Sequence, residues 1–118
     1  MIVAGFGFST QASADSIADA MRQHAVQPDA LATLDRKAQA LRDMTRATGL
    51  PVIAVSQADA EGQTTQTQSD RSLTETNTPS VAEATALAAA GPGATLIGRR
   101  TISHDRMATC AIAKGPDT

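Results

Sequence analysis

Residues 2–25 read IVAGFGFSTQASADSIADAMRQHA, and this stretch decides the fold class. Ile2 to Ala4 is a short apolar run closed by Gly5-Phe6-Gly7. Such a run, ended by glycines, predicts a buried strand opening into a glycine turn. Ser13 is a residue type that caps a helix. Ala14, Ile17, Ala18, Met21 and Ala25 then recur at helical spacing on one face. Gln27-Pro28-Asp29 ends that helix, because proline cannot continue one. The stretch is therefore one strand-helix unit.

The same alternation continues outward. Ala30 to Leu34 suits a brief strand, and equally the start of a helix. The next helix turns Ala38, Leu41, Thr45 and Thr48 inward. Gly49 stands where a C-terminal cap glycine belongs, and Pro51 prevents continuation. Val52 to Val55 reads as the clearest buried strand. Ser80-Val81-Ala82-Glu83 matches a capping box, with the acid three residues after the cap. Its helix runs through Ala84, Leu87 and Ala88 and stops at Gly91-Pro92-Gly93. Ala94 to Ile97 and Met107 to Ala113 are the last strands, joined by an irregular hairpin over Gly98 to Arg106. Strands alternating with helices imply a three-layer α/β/α domain. Its sheet is mostly parallel, with about five strands, and the C-terminal hairpin adds an antiparallel edge. A single domain over residues 1–118 is expected. Residues 61–79 are rich in Gln, Thr and Ser, with Leu73 the one large apolar residue. That composition buries too little surface to offset ordering, so a mobile polar loop is expected there. A loop of this length in a small domain is usually functional or disordered.

Composition narrows the function classes. The chain has 118 residues, 42% hydrophobic and 19% charged, as expected of one globular domain. With no Trp, no Tyr and two Phe, the core must be aliphatic. A net charge of −2 gives no general attraction to nucleic acid or acidic membranes. One cysteine rules out an internal disulfide and a multi-cysteine zinc site. Met1-Ile2-Val3-Ala4 carries no basic leader, and no apolar run approaches the ~18 residues that span a bilayer. A cytoplasmic location is expected.

Ligands of open α/β sheets bind beyond the carboxyl ends of the parallel strands. That rule selects Gly5 to Gln11, Asp35 to Lys37 and Ser56-Gln57. The polar segment and the start of the Ser80 helix belong to the same edge. Gly5 and Gly7 permit close backbone approach, and the amides from Phe8 onward lead into a helix N-terminus that favours an anion. The alternative is a plain strand-helix turn. A nicotinamide fingerprint lacks its third glycine, because position 10 is Thr. Either both Phe6 and Phe8 lie in the core, or one presents a flat apolar face to a ring ligand. Lys37, beside Arg36, can meet a carboxylate as a point charge, or both are solvated. An exposed lysine there would contribute little to stability. Arg99 and Arg100, with Arg106, form a basic patch on the hairpin; guanidinium forks suit carboxylates. Ser80 and Glu83 read first as a cap. Cys110 reads as core. His24 and His104 show no catalytic partner, and no nucleophile-base or carboxylate pair is assigned.

Taken in order, several segments resemble a known family. They are Val3-Ala4-Gly5-Phe6-Gly7-Phe8, Leu31 to Ala38, Gly49-Leu50-Pro51-Val52, Pro79 to Ala84 with Ala86-Leu87, and Ala108 to Ala113. The family is CobE together with the C-terminal domain of CbiG, in cobalamin biosynthesis. The resemblance covers nearly the whole chain. It implies an α/β/α domain that takes part in making the corrin ring. In two-domain CbiG proteins the implied activity is hydrolytic opening of a ring lactone on a cobalt-precorrin. That activity is not expected of this domain by itself. Gly5, Gly7, Ser13, Lys37, Ser80 and Glu83 match positions the family tends to keep. Ser9, Thr10 and Gln11 stand where the family often has a basic pair and a glycine. Arg99 and Arg100 stand near a lysine common after strand four.

The expected function is binding of a precorrin or a hydrogenobyrinic-acid-like tetrapyrrole. The expected ligand residues are Gly5, Gly7, Phe8, Ser9, Thr10, Lys37, Ser80, Glu83, Arg99 and Arg100. No cofactor and no metal are expected. Other enzymes of the pathway are candidate partners; nucleic acid and membrane are not. The alternatives are an enzyme of the same pathway, either a precorrin hydrolase or a methylation partner, and a small nucleotide-binding module using the glycine turn and Asp35.

Overall fold

A computed structural model describes residues 1–63 and 80–116. The expected mobile loop therefore falls outside the described residues over 64–79. The chain begins with β1 (Ile2–Phe8), α1 (Ala14–Arg22) and β2 (Ala30–Leu34). A 3-10 turn over Asp35–Lys37 leads into α2 (Ala38–Met44), and a second over Arg46–Thr48 follows it. β3 (Val52–Val55) and the short α3 (Gln57–Glu61) precede α4 (Val81–Ala90), β4 (Thr95–Ile102) and β5 (Ala108–Lys114). The strands form one sheet in the order β3-β2-β1-β5-β4. β1, β2 and β3 pair in parallel, while β5 pairs antiparallel with both β1 and β4. This is the expected mixed α/β architecture, with a parallel half and an antiparallel hairpin.

Alternation of side chains along each strand makes two cores. Ala4, Phe6, Leu31, Cys110 and Ile112 pack with Ile17 of α1 and Leu41 of α2 on one face. Val3, Ala32, Leu34 and Val55 pack with Ala60 of α3 and Ala84 of α4 on the other. α1 starts at Ser13, whose hydroxyl accepts from the Ser16 N–H at 3.3 Å, while the Ser16 hydroxyl accepts from the Ser13 N–H at 3.1 Å. Ala25 lies beyond the end of that helix and Thr48 is exposed, so the apolar periodicity overran both helices. Gly49 closes its segment in the left-handed conformation, φ 70°, as a cap glycine should.

Several expectations are corrected. Gly5-Phe6-Gly7 is not a turn; β1 runs through all three residues and seven of its positions pair with β5. The reason is packing. A Cβ on Gly5 would collide with the Ala82 carbonyl and lie 2.6 Å from the Ala86 backbone nitrogen. Glycine is required there because α4 lies directly against the strand. Val52–Val55 is not the most buried strand. It is an edge strand with only Val55 buried, whereas all of β2 is buried. β4 extends to Ile102, so Arg99 and Arg100 lie on a strand rather than on the connecting turn. None of the described helices is long and apolar enough to cross a membrane.

Candidate functional site

The carboxyl ends of the parallel strands make a polar rim. At the end of β1, the Ser9 N–H donates to the Met107 carbonyl at 3.0 Å and the Ser9 hydroxyl lies 3.3 Å from the Met107 sulfur. Ser9 is half-buried and Thr10 is exposed. At the end of β2, the 3-10 turn delivers Lys37 back across the rim. Its Nζ donates to the Phe8 carbonyl at 2.6 Å and sits 4.8 Å from the centre of the Phe8 ring. Lys37 is half-buried, not the exposed lysine the sequence suggested, and the cation over the ring adds to its anchoring. Below it, the Thr33 hydroxyl donates to the Phe6 carbonyl at 2.9 Å, holding β2 to β1 by a side chain.

The N-terminus of α4 reaches the same rim. A Cβ on Gly7 would lie 3.3 Å from the Val81 Cβ and 3.0 Å from the Thr109 hydroxyl. Ser80 is buried and caps the helix, its hydroxyl accepting from the Glu83 N–H at 3.3 Å. Glu83 does not complete a capping box. Its carboxylate accepts instead from the Arg100 N–H of β4 at 3.0 Å, and the residue is fully buried. The Nε of Arg100 is buried with no hydrogen-bond partner among the described residues.

Phe8 and Lys37 are thus brought together, with Ser9 and the exposed Thr10 next along the chain and Val81, the residue after Ser80, against Gly7. Gly5 is not with them: it lies mid-strand beneath α4. Gly7 lines the contact between β1 and α4. Glu83 and Arg100 meet each other between α4 and β4, and Arg99 is exposed on the outer strand, two positions from β1 in the sheet. Because the glycines lie in a paired strand, they form no phosphate-cradling loop, and the nucleotide reading loses its geometric basis.

The turn between β4 and β5 closes the rim beside Ser9. Asp105 is its keystone: its carboxylate accepts from the Ser103 hydroxyl at 2.5 Å, the Ser16 hydroxyl at 2.5 Å and the Met107 N–H at 3.0 Å. These bonds, the Ser103 hydroxyl first, hold the Asp105 carboxyl below the ordinary 3.8. Asp19 of α1 accepts from the His104 N–H at 2.6 Å and faces His104 Nδ1 at 2.8 Å, which keeps its carboxyl low as well. His104 therefore has a carboxylate partner that sequence reading missed. The pairs Ser16–Asp105 and Asp19–His104 span 89 and 85 residues, so no local spacing signals them. His24 is also partnered, its Nε2 3.0 Å from the Cys110 carbonyl. Burial pushes the Cys110 thiol well up, so it is no nucleophile near neutral pH. Among the described residues, no group of three His, Cys, Asp or Glu side chains could hold a metal ion.

Comparison with known proteins bears on what such a rim serves. Residues 2–113 match the family described as "Cobalamin synthesis G C-terminus". The structure of CobE, a protein of the cobalamin (vitamin B12) biosynthetic pathway, superposes with a TM-score of 0.84 at 29% identity, covering 96% of this chain and 92% of CobE. The cobalamin biosynthesis protein chiG from Agrobacterium tumefaciens superposes with a TM-score of 0.74 at 33% identity, over 99% of this chain and 100% of that one. A cobalamin biosynthesis protein G homolog from Sulfolobus solfataricus shares the fold, with a TM-score of 0.69 at 19% identity. This chain covers 95% of itself and 36% of that longer protein in the match. No curated protein sequence matches.

Proposed function

This chain belongs to the cobalamin synthesis G C-terminus family, as a protein of the cobalamin biosynthesis pathway, and from that premise we propose that its rim binds a tetrapyrrole intermediate. The ligand is a precorrin or a hydrogenobyrinic-acid-like compound, held for the next enzyme of the pathway. One observation carries the reading: the ends of β1 and β2, Lys37 and the start of α4 converge on one edge of the sheet. Corrin precursors carry acetate and propionate carboxylates around a flat macrocycle. A site for them needs amide donors, cations and apolar surface. The Thr10 amide and hydroxyl, the Lys37 ammonium and the Phe8 ring supply that mixture. The α4 N-terminus adds a favourable field for a carboxylate.

Titration with hydrogenobyrinic acid tests this. The visible spectrum of the ligand is expected to shift on binding, with no product formed. Lys37→Ala is expected to weaken binding about tenfold, the value of one charge-assisted contact. It should cost only about 1 kcal/mol of stability, from the lost bond to Phe8. Unchanged affinity in the variant would remove Lys37 from the site. Conversion of a purified precorrin by the isolated chain would replace binding by catalysis as the function.

A further inference from the structure

The turn Ser103 to Met107 contains the one non-glycine residue with positive φ among the described residues, Arg106 at φ 62°. Glycine or asparagine is the ordinary occupant of that conformation, since a side chain there crowds the backbone. The turn is nevertheless rigidly specified. The Arg106 N–H donates to the Ser103 carbonyl at 2.9 Å, and the Ser103 hydroxyl accepts from the Ala108 N–H at 3.0 Å. The Asp105 carboxylate ties the turn to Ser16 at the start of α1. Among the described residues, nothing in this scaffold bonds to the Arg106 side chain. It is exposed, and its guanidinium meets no carboxylate among the described residues. The next residue, Met107, is bonded to Ser9 at the end of β1, whose neighbour Phe8 carries Lys37. A strained residue held in place by its surroundings and presenting an unused charge is a pointer to function.

We infer that Arg106 is the second cation of the rim and takes a carboxylate of the bound tetrapyrrole, an inference that rests on the binding reading above. The guanidinium fork matches a carboxylate in two-point fashion, which a lysine cannot do. Lys37 and Arg106 then grip acidic side chains of the macrocycle from either side of the end of β1.

The test compares the whole chain with Arg106→Gly and Arg106→Lys, using hydrogenobyrinic acid as the probe. Arg106→Gly is expected to melt a few degrees higher, because glycine relieves the positive-φ strain, and to bind about tenfold more weakly. Arg106→Lys is expected to bind between the two. A glycine variant with wild-type affinity overturns the role of Arg106 and leaves the rim reading in place. A glycine variant that both melts lower and binds weakly also overturns it, since a loosened turn would then explain the loss. Wild-type protein that leaves the probe's spectrum unchanged overturns both readings.

Discussion

The two faces of the sheet are packed by opposite means. Toward α1 and α2 the contacts are made by Phe6, Ile17, Leu31, Leu41 and Ile112, the largest fully buried apolar side chains of the described residues. Toward α4 they are made by Gly5 and by Ala82, Ala84 and Ala86, with helix backbone against strand backbone. Large side chains fill space and tolerate small adjustments; backbone against backbone tolerates none. The close face therefore fixes where α4 begins. Its first turn is set against Gly7, beside Ser9, and Ser80 is locked below. The small residues of this alanine-rich chain are, on this face, a positional constraint on the rim.

The contrast predicts opposite responses to volume. Gly5→Val adds atoms where backbone already stands, and is expected to cost more than about 4 kcal/mol and to prevent folding. A soluble Gly5→Val protein with a wild-type urea midpoint would break the comparison. On the other face the damage comes from removing atoms. Phe6→Ala is expected to cost about 3–5 kcal/mol while leaving a foldable chain, measured by the same urea titration. A cost near zero would mean that this face is not the volume-filled core described.

The smallest effect is electrostatic and belongs to the rim turn. The folded Asp105 carboxyl lies below the ordinary 3.8, so its contribution to stability is fully present above that value. It is lost as pH falls through the lower, folded value. Asp105→Asn is therefore expected to melt below wild type at about pH 6, with the difference closing as the pH drops under 3.8. A difference independent of pH would show that shape, not charge, holds the turn.

How far the sequence carried the fold follows from the same contrast. The alternation of apolar strand and amphipathic helix is a local pattern, and it yielded the order of the strands and the three longer helices, the Ser13 and Ser80 caps and the Gly49 stop, but not the five-residue α3, too short to show a period. The parallel half and the closing hairpin followed from that order. What misled is non-local. Gly5 and Gly7 look like turn residues in isolation, and only the approach of α4 shows why they sit inside a strand. Val52–Val55 is more uniformly apolar in sequence than its edge position requires, and the order of strands in the sheet decides exposure. For the site, Lys37 and the Ser80 helix start were legible because the carboxyl-edge rule needs only topology. Asp19, Ser16 and Asp105 were not, because their partners lie more than 80 residues away.

The central claim is that ligand is held at the carboxyl edge, where α4 begins, and not at the other end of that helix. An open groove lined by Asp59, Gln63, Ala88 and residues 91–94 lies at that other end and offers a direct contrast. Amide hydrogen exchange with and without hydrogenobyrinic acid decides between them. The account predicts new protection over residues 9–12, 35–38 and 80–83, with 91–94 unchanged. Protection confined to 91–94 would contradict it.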